Sequence, residues 1–345
     1  MRHDTFRRYV QGRTVPVIMT LIAMLLTGCS AGGAEEKNAP TQNAVELTKA
    51  DAVWAVYWDQ EGASEILAQI REGIPKVCLF GATFDQERRP VVHEDTKELA
   101  EELEETGGQE QYLTFVNDLL LQEGSSLKDA DLLYDLIGTD EQAKRHAEEI
   151  TEMAAQLGCD GIEIDYEQIR DDLELWRHFQ TFLEYLLQQA EMKGLSVRVL
   201  LEPGTPLEEI TLPDGPEYVV MCYNLYGPGT QPGPKADRDF LLQMAEKFSV
   251  LPDVSYALAN GGFCWNEQDG SVQSITTQDA RILAAELGIS PVRNSENGAL
   301  SFRYLENETP YTIWYGDGET LEHWRGILEE AAGGPVQVSI WRLGG

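Results

Sequence analysis

The chain has 345 residues and carries 59 acidic side chains against 26 basic ones, a formal net charge of −33. A surface this negative repels phosphate backbones and other anionic polymers, so nucleic acid is excluded as an expected partner and neutral glycans or peptides are favoured. The five histidines are scattered without a His-Glu-x-x-His, and Cys78, Cys159, Cys222 and Cys264 form no Cys-x-x-Cys pair, so they read as small buried core residues and no metal, cofactor or protein partner is indicated.

The first predicted element is an export signal. Arg2, Arg7, Arg8 and Arg13 give a positive start, and Val15 to Leu26 form an apolar core too short for a comfortable membrane span. Leu26-Thr27-Gly28-Cys29 resembles a lipobox, which implies cleavage after residue 28, diacylation of Cys29 and anchoring to the outer side of a bacterial membrane. Loss of residues 1–28 removes those four arginines and Asp4, leaving 22 basic and 58 acidic residues, net −36. Residues 29–50 then make a lipidated flexible tether, with Ser30 to Val45 rich in Ala, Gly, Glu, Asn and Gln.

Residues 51–345 suit one α/β barrel, which needs about 250 residues before insertions. Strands are predicted at Val53 to Trp58, Val77 to Phe84, Tyr112 to Val116, Gly161 to Tyr166, Ser196 to Leu201, Tyr218 to Tyr223, Ser255 to Leu258 and Val336 to Trp341. Helical patterns alternate with them at Glu65 to Glu72, Asp140 to Leu157, Leu173 to Lys193, Asp239 to Phe248 and Thr320 to Ala332, which predicts a parallel sheet. Gly158, Gly194 and Gly333 follow helices as left-handed C-terminal glycines do. The segment 266–316 is too long and patterned for a loop, with a helix at Thr277 to Leu287 and short strands at Leu300 to Tyr304 and Tyr311 to Tyr315.

The fourth strand holds the chemistry. In Asp160-Gly161-Ile162-Glu163-Ile164-Asp165-Tyr166-Glu167, strand alternation puts Glu163, Asp165 and Glu167 on one face and the isoleucines and Tyr166 on the other. Neighbouring carboxylates in a partly buried site cannot all ionise cheaply, so one becomes a proton donor near neutral pH, the equipment of an acid/base hydrolase. On the first strand, Trp54, Tyr57 and Trp58 offer flat faces suited to pyranose rings or to core packing.

These eight residues resemble the Asp-x-x-Asp-x-Asp-x-Glu motif of glycoside hydrolase family 18, the chitinases and their relatives, with Glu163 in place of the second Asp. The resemblance covers essentially the whole mature domain. It implies a (β/α)8 TIM barrel with a small α+β insertion between strands seven and eight, and Asp160 and Gly161 as structural members of the motif. Met221-Cys222-Tyr223-Asn224 is similar to the family's Met-x-Tyr-Asp, Trp341 to the eighth-strand Trp beneath the reacting sugar, and Trp314 to Asp317 to the Trp-rich run before the last helix. Met221, Asn224, Trp341, Tyr57, Trp58 and Asn117 are thus the expected substrate contacts. The third strand, Tyr112 to Asp118, lacks the Ser-x-Gly-Gly run of typical chitinases, and its Asn117 looks more like the branch acting on bacterial cell-wall or spore-cortex glycans.

By that resemblance, Glu167 protonates the leaving oxygen while the sugar's 2-acetamido carbonyl attacks the anomeric carbon, a substrate-assisted route with retention. Asp165 orients the acetamido N–H, Tyr223 binds its carbonyl oxygen, and Glu163 hydrogen-bonds Asp165 and shares a proton with it. Three functions stay open: an N-acetylglucosaminidase on peptidoglycan-type β-1,4 glycans, an endo-acting chitinase or endo-β-N-acetylglucosaminidase, and a catalytically silent glycan-binding barrel.

Overall fold

The computed structural model describes Leu47 and residues 49–70 and 73–345. The export segment, Cys29, Ser30 to Val45, and Arg71 and Glu72 of the first predicted helix lie outside the described residues. Eight parallel strands form a barrel: β1 (Ala52–Val56), β2 (Lys76–Phe84), β3 (Glu110–Leu120), β4 (Gly161–Asp165), β5 (Ser196–Leu201), β6 (Glu217–Met221), β7 (Val254–Ala259) and β8 (Val338–Trp341). Each pairs with the next, and β8 returns to β1 through Ala52↔Ser339 and Val53↔Ile340, which closes the sheet. Outside it run α1 (Gln60–Ile70), α2 (Glu94–Thr106), α3 (Ala130–Ile137), α4 (Asp140–Gln156), α5 (Leu173–Lys193), α6 (Arg238–Phe248), α7 (Thr277–Glu286) and α8 (Gly318–Ala332).

Helix α5 shows how the layers hold. Its buried residues Leu175, Trp176, Phe179, Phe182, Leu183, Leu186 and Ala190 recur at helical spacing and face the barrel. Asp172 caps its start by accepting from the amides of Glu174 and Leu175, and Gly194 ends it at φ 71°, where a side chain would be strained. Phe179 and Phe182 meet Tyr166 from the outer face of β4. Truncating a buried phenylalanine such as Phe182 to Ala costs about 3–5 kcal/mol, since both transfer energy and packing are lost. Gly158 and Gly333 also adopt positive φ, 78° and 71°.

The inserted unit between β7 and β8 is a five-stranded antiparallel sheet in the order Val272–Ile275, Gly261–Asn266, Thr309–Gly316, Leu300–Glu306, Val292–Arg293, with α7 beside it. It begins at Gly261, earlier than the expected Asn266. Nothing turn-like in the sequence separates Gly261–Asn266 from β7 except Asn260 and two glycines. Gly262 is required there: an added Cβ would sit 1.8 Å from the Trp314 carbonyl oxygen. Three barrel strands end sooner than predicted, β4 by one residue at Asp165 and β1 and β6 by two. The chain turns into a 3₁₀ segment, Tyr57–Asp59, directly after β1, and Tyr223 lies beyond the last paired residue of β6. Among the described residues, Cys78, Cys159, Cys222 and Cys264 are buried and free.

Candidate active site

Barrel register brings Thr114 of β3, Glu163 of β4 and Arg198 of β5 side by side, all pointing inward. Glu163 is fully buried and both of its oxygens are taken. Oε1 accepts from the Trp54 indole at 2.6 Å and the Thr114 hydroxyl at 2.7 Å; Oε2 accepts from Arg198 Nε at 2.9 Å and the Cys78 thiol at 3.4 Å. Burial, and then the charge of Glu163, push the Cys78 thiol well up, so it stays a donor. The Arg198 guanidinium is satisfied in turn by Glu217 at 2.7 Å and the Ser339 hydroxyl at 2.9 Å. This corrects the expected Glu163–Asp165 hydrogen bond and shared proton. The cross-strand arginine is a stronger partner for a buried carboxylate than a like-charged neighbour. Trp54 likewise is a buried donor to Glu163 and offers no sugar-stacking face.

One step towards the mouth, Asp165 is buried, 3% exposed. Its Oδ2 meets Lys128 Nζ at 2.6 Å, while its buried Oδ1 has no hydrogen-bond partner. Glu167 lies past the end of β4, 22% exposed, with Oε1 at 2.5 Å from the same ammonium. Burial, then the charge of Asp165, raise the Glu167 carboxyl to about 7, with Lys128 pulling the other way and Glu202 adding to the rise. Burial alone would lower the Lys128 ammonium; the charges of Asp165 and Glu167 outweigh it and keep the proton on. The three acids of the motif therefore share a face but divide into a saturated lower member and an ion-paired upper couple.

The backbone beneath Glu167 is fixed by Asn117. Its Oδ1 accepts from the Glu167 amide at 3.0 Å, and its Nδ2 donates to the carbonyls of Glu167 at 3.1 Å and Asp129 at 3.2 Å. With no exposure and its amide committed at both ends, Asn117 positions Glu167 and is not the substrate contact expected. The next residue, Gln168, turns at φ 63° and donates its amide to Glu202 at 3.0 Å. At the other end of β4, Asp160 accepts from the Gln111 amide at 2.9 Å, and Gly161 leaves room for the Tyr112 ring, 2.2 Å from where a Cβ would stand.

An aromatic wall stands beside these acids. Trp341 is half-buried, with Phe80 edge-on at 4.9 Å and Trp54 at 5.9 Å. Phe80 also supports Trp58, which is 52% exposed with the Arg342 guanidinium 6.0 Å from its ring. Tyr57 is half-buried and stacks on His93 at 3.7 Å. Tyr223 is partly exposed; burial first, then the charges of Asp165, Glu167 and Glu163, push its hydroxyl well up, so it lies in electrostatic reach of all three. Met221 is buried in the interior apolar layer beneath Tyr223, packing the barrel where a substrate contact was expected. Asn224 is exposed and turns the chain at φ 59°, a conformation asparagine tolerates.

Lys128, Arg198, Thr114 and Phe80 were not singled out in the sequence. Arg198 carried a usable signal, a lone charge at inward parity in the apolar run Ser-Val-Arg-Val-Leu-Leu. Lys128 carried none, since a lysine in a polar loop has no periodicity to mark where its ammonium ends.

No protein-family model matches the sequence, and no curated protein matches it in sequence. Among solved structures, the chain is similar to a chitinase from Chromobacterium violaceum, with TM-score 0.69 and 18% identity over 86% of this chain and 95% of that one. It is similar to the Bacillus cereus spore cortex-lytic enzyme SleL, with TM-score 0.68 and 16% identity over 86% of this chain and 72% of that one. A mutant class V chitinase from Nicotiana tobaccum in complex with NAG4 aligns with TM-score 0.65 and 13% identity over 85% of this chain and 94% of that one. The closed (β/α)8 barrel with its inserted sheet is thus the fold these chitinases and the spore cortex-lytic enzyme share, the fold that the resemblance to glycoside hydrolase family 18 implied.

Proposed function

We propose that the protein is a retaining glycoside hydrolase that cleaves β-1,4 bonds beside an N-acetylhexosamine, with peptidoglycan-type glycans as its substrate class. The observation that carries this reading is the unpartnered, buried Asp165 Oδ1 next to a Glu167 carboxyl raised to about 7. A buried acceptor left open needs a donor, and the acetamido N–H of a sugar supplies one. Held there, the acetamido carbonyl attacks the anomeric carbon while Glu167 gives its proton to the leaving oxygen; Tyr223 steadies the carbonyl and Trp341 backs the ring. Glu167 then takes a proton from water, which opens the bicyclic intermediate with net retention. An internal nucleophile gains from the proximity that Asp165 imposes.

The third strand supports cell-wall glycans, since it carries Asn117 and lacks the Ser-x-Gly-Gly of typical chitinases; chitinases and a spore cortex-lytic enzyme share the fold alike, and an endo-acting chitinase or endo-β-N-acetylglucosaminidase would use the same chemistry. A catalytically silent glycan-binding barrel is the second reading, favoured by the ion pairs of Lys128 with both acids. Incubating the mature domain with peptidoglycan, chitooligosaccharides and N-glycoprotein, and identifying new reducing ends by mass spectrometry, separates the three. Equal cleavage of N-acetylated and de-N-acetylated glycan excludes acetamido participation, and binding without new ends selects the silent barrel. We also propose that a lipid on Cys29 holds the enzyme on the outer side of a bacterial membrane. A Cys29→Ala protein that still fractionates with membranes at an unchanged mass refutes that anchor.

A further inference from the structure

We propose that Lys128 is a specificity-determining residue of this site: its ammonium is an internal occupant that opposes protonation of Glu167 until binding of a sugar N-acetyl group at Asp165 displaces it. The inference rests on the glycosidase reading for its ligand but not for its resting state. Lys128 Nζ lies 2.6 Å from Asp165 Oδ2 and 2.5 Å from Glu167 Oε1, the two carboxylates that the proposed reaction needs for orienting and for protonating. An ammonium at that distance favours the ionised form of each carboxyl and so works against the proton that Glu167 must give.

The backbone around Lys128 is fixed while its side chain has a way out. Its amide donates to Asp118 Oδ1 at 2.8 Å, the Asp129 amide donates to the Asn117 carbonyl at 2.7 Å, and φ is 53°. The side chain is 20% exposed and its ammonium sits 5.5 Å from the Phe80 ring; in the proposed switch a change of rotamer carries the charge off the acids with the loop in place. The charge balances. Lys128 leaves Oδ2 with its three protons, the uncharged acetamido N–H donates to the open Oδ1 of Asp165, and Glu167 gains one proton from solvent. Asp165 and Glu202 are the remaining charges facing Glu167, both negative, and both favour that proton. A sugar with a free amine arrives as a second ammonium and reproduces the charge of Lys128, which again opposes the proton on Glu167.

The test follows Glu167 itself by carbon-13 NMR titration of carboxyl-labelled protein. In Lys128→Met its midpoint is expected to rise by about one unit or more, the size of effect a nearby opposite charge exerts, and in Lys128→Arg to stay near wild type. Saturating wild type with a thio-linked N-acetylglucosamine tetrasaccharide, which is not cleaved, should raise the midpoint likewise; its de-N-acetylated counterpart should not. Equal midpoints in wild type and Lys128→Met, or a bound N-acetylated ligand that leaves the midpoint unmoved, overturn the proposal. If the midpoints move as expected and no glycan is cleaved, Lys128 stands as the occupant and the hydrolase reading falls; cleavage with unmoved midpoints has the opposite meaning.

Discussion

Glu163 and Glu167 project from the same face of one strand, four residues apart, yet they meet opposite surroundings. Glu163 sits where β1, β2, β3 and β5 each contribute a donor, and all of its hydrogen-bonding capacity is spent inside the barrel. Glu167 stands beyond the last ladder pair, where one flexible lysine is its ion-pair partner and a carboxylate neighbour and Glu202 press its proton on. A carboxylate that is fully satisfied stabilises a fold. One held by a removable partner at a raised pKa can do chemistry.

The largest effect should come from removing the proton of the upper residue. Under the proposed mechanism, Glu167→Gln lowers turnover about 10²- to 10⁴-fold, the usual share of general acid catalysis, while glycan binding persists because the amide fills the same space. In wild type kcat/KM falls as pH rises through about 7, since the raised Glu167 of the free enzyme must carry its proton to act. Hydrolysis assays across pH, paired with calorimetric binding, check both statements. Full activity in Glu167→Gln would remove this residue from the reaction.

Glu163→Gln should act on folding instead. It leaves Arg198 buried with Glu217 as its remaining carboxylate, and breaking a buried pair costs about 3–5 kcal/mol, with the lower end expected because Glu217 persists. Denaturant unfolding measures the loss. A variant as stable as wild type with a displaced pH profile would restore the proton sharing with Asp165 that the motif alone suggested.

Asn117→Ala tests the link between the regions. It strips partners from the amide and carbonyl of Glu167, and about 1–3 kcal/mol of stability should go with each buried group left unmet. Because Glu167 would lose its registration, turnover should drop with little change in affinity. A change in affinity alone would return Asn117 to the role of substrate contact.

These contrasts mark what the amino-acid order disclosed. Alternation along 160–167 placed the acids on one face, and the strand–helix rhythm with Gly158, Gly194 and Gly333 outlined the barrel, because periodicity and helix stops are local properties. Partners were not legible. That Arg198 takes Glu163 follows from a register between strands, and that Lys128 reaches Asp165 follows from a loop whose course depends on Asp118 and Asn117. The fate of Asn117 shows the same limit. Its position at the end of the third strand was visible, but not that both ends of its amide would be consumed by backbone.

The outer face of β4 offers the smallest and most separable effect. Tyr166, between the acids in sequence, points away from them and its hydroxyl meets His146 Nε2 at 2.7 Å among Phe84 and Phe182. Burial, and then the charge of Arg145, lower the His146 imidazole to about 3, so it stays neutral in the folded protein. An unfolded histidine titrates near 6.5, and between the two values the unfolded chain binds the extra proton. The contribution of His146 is therefore fully present above about 6.5 and is lost as pH falls from there towards 3, with a slope of at most about 1.4 kcal/mol per pH unit. His146→Gln can keep a hydrogen bond to Tyr166 without titrating, so its unfolding free energy should decline less steeply between pH 6 and 4, while the hydrolysis profile governed by Glu167 stays where it was. Equal slopes in the two proteins would mean that His146 takes up its proton without unfolding; a displaced hydrolysis profile would mean that the two faces of β4 are coupled through the strand.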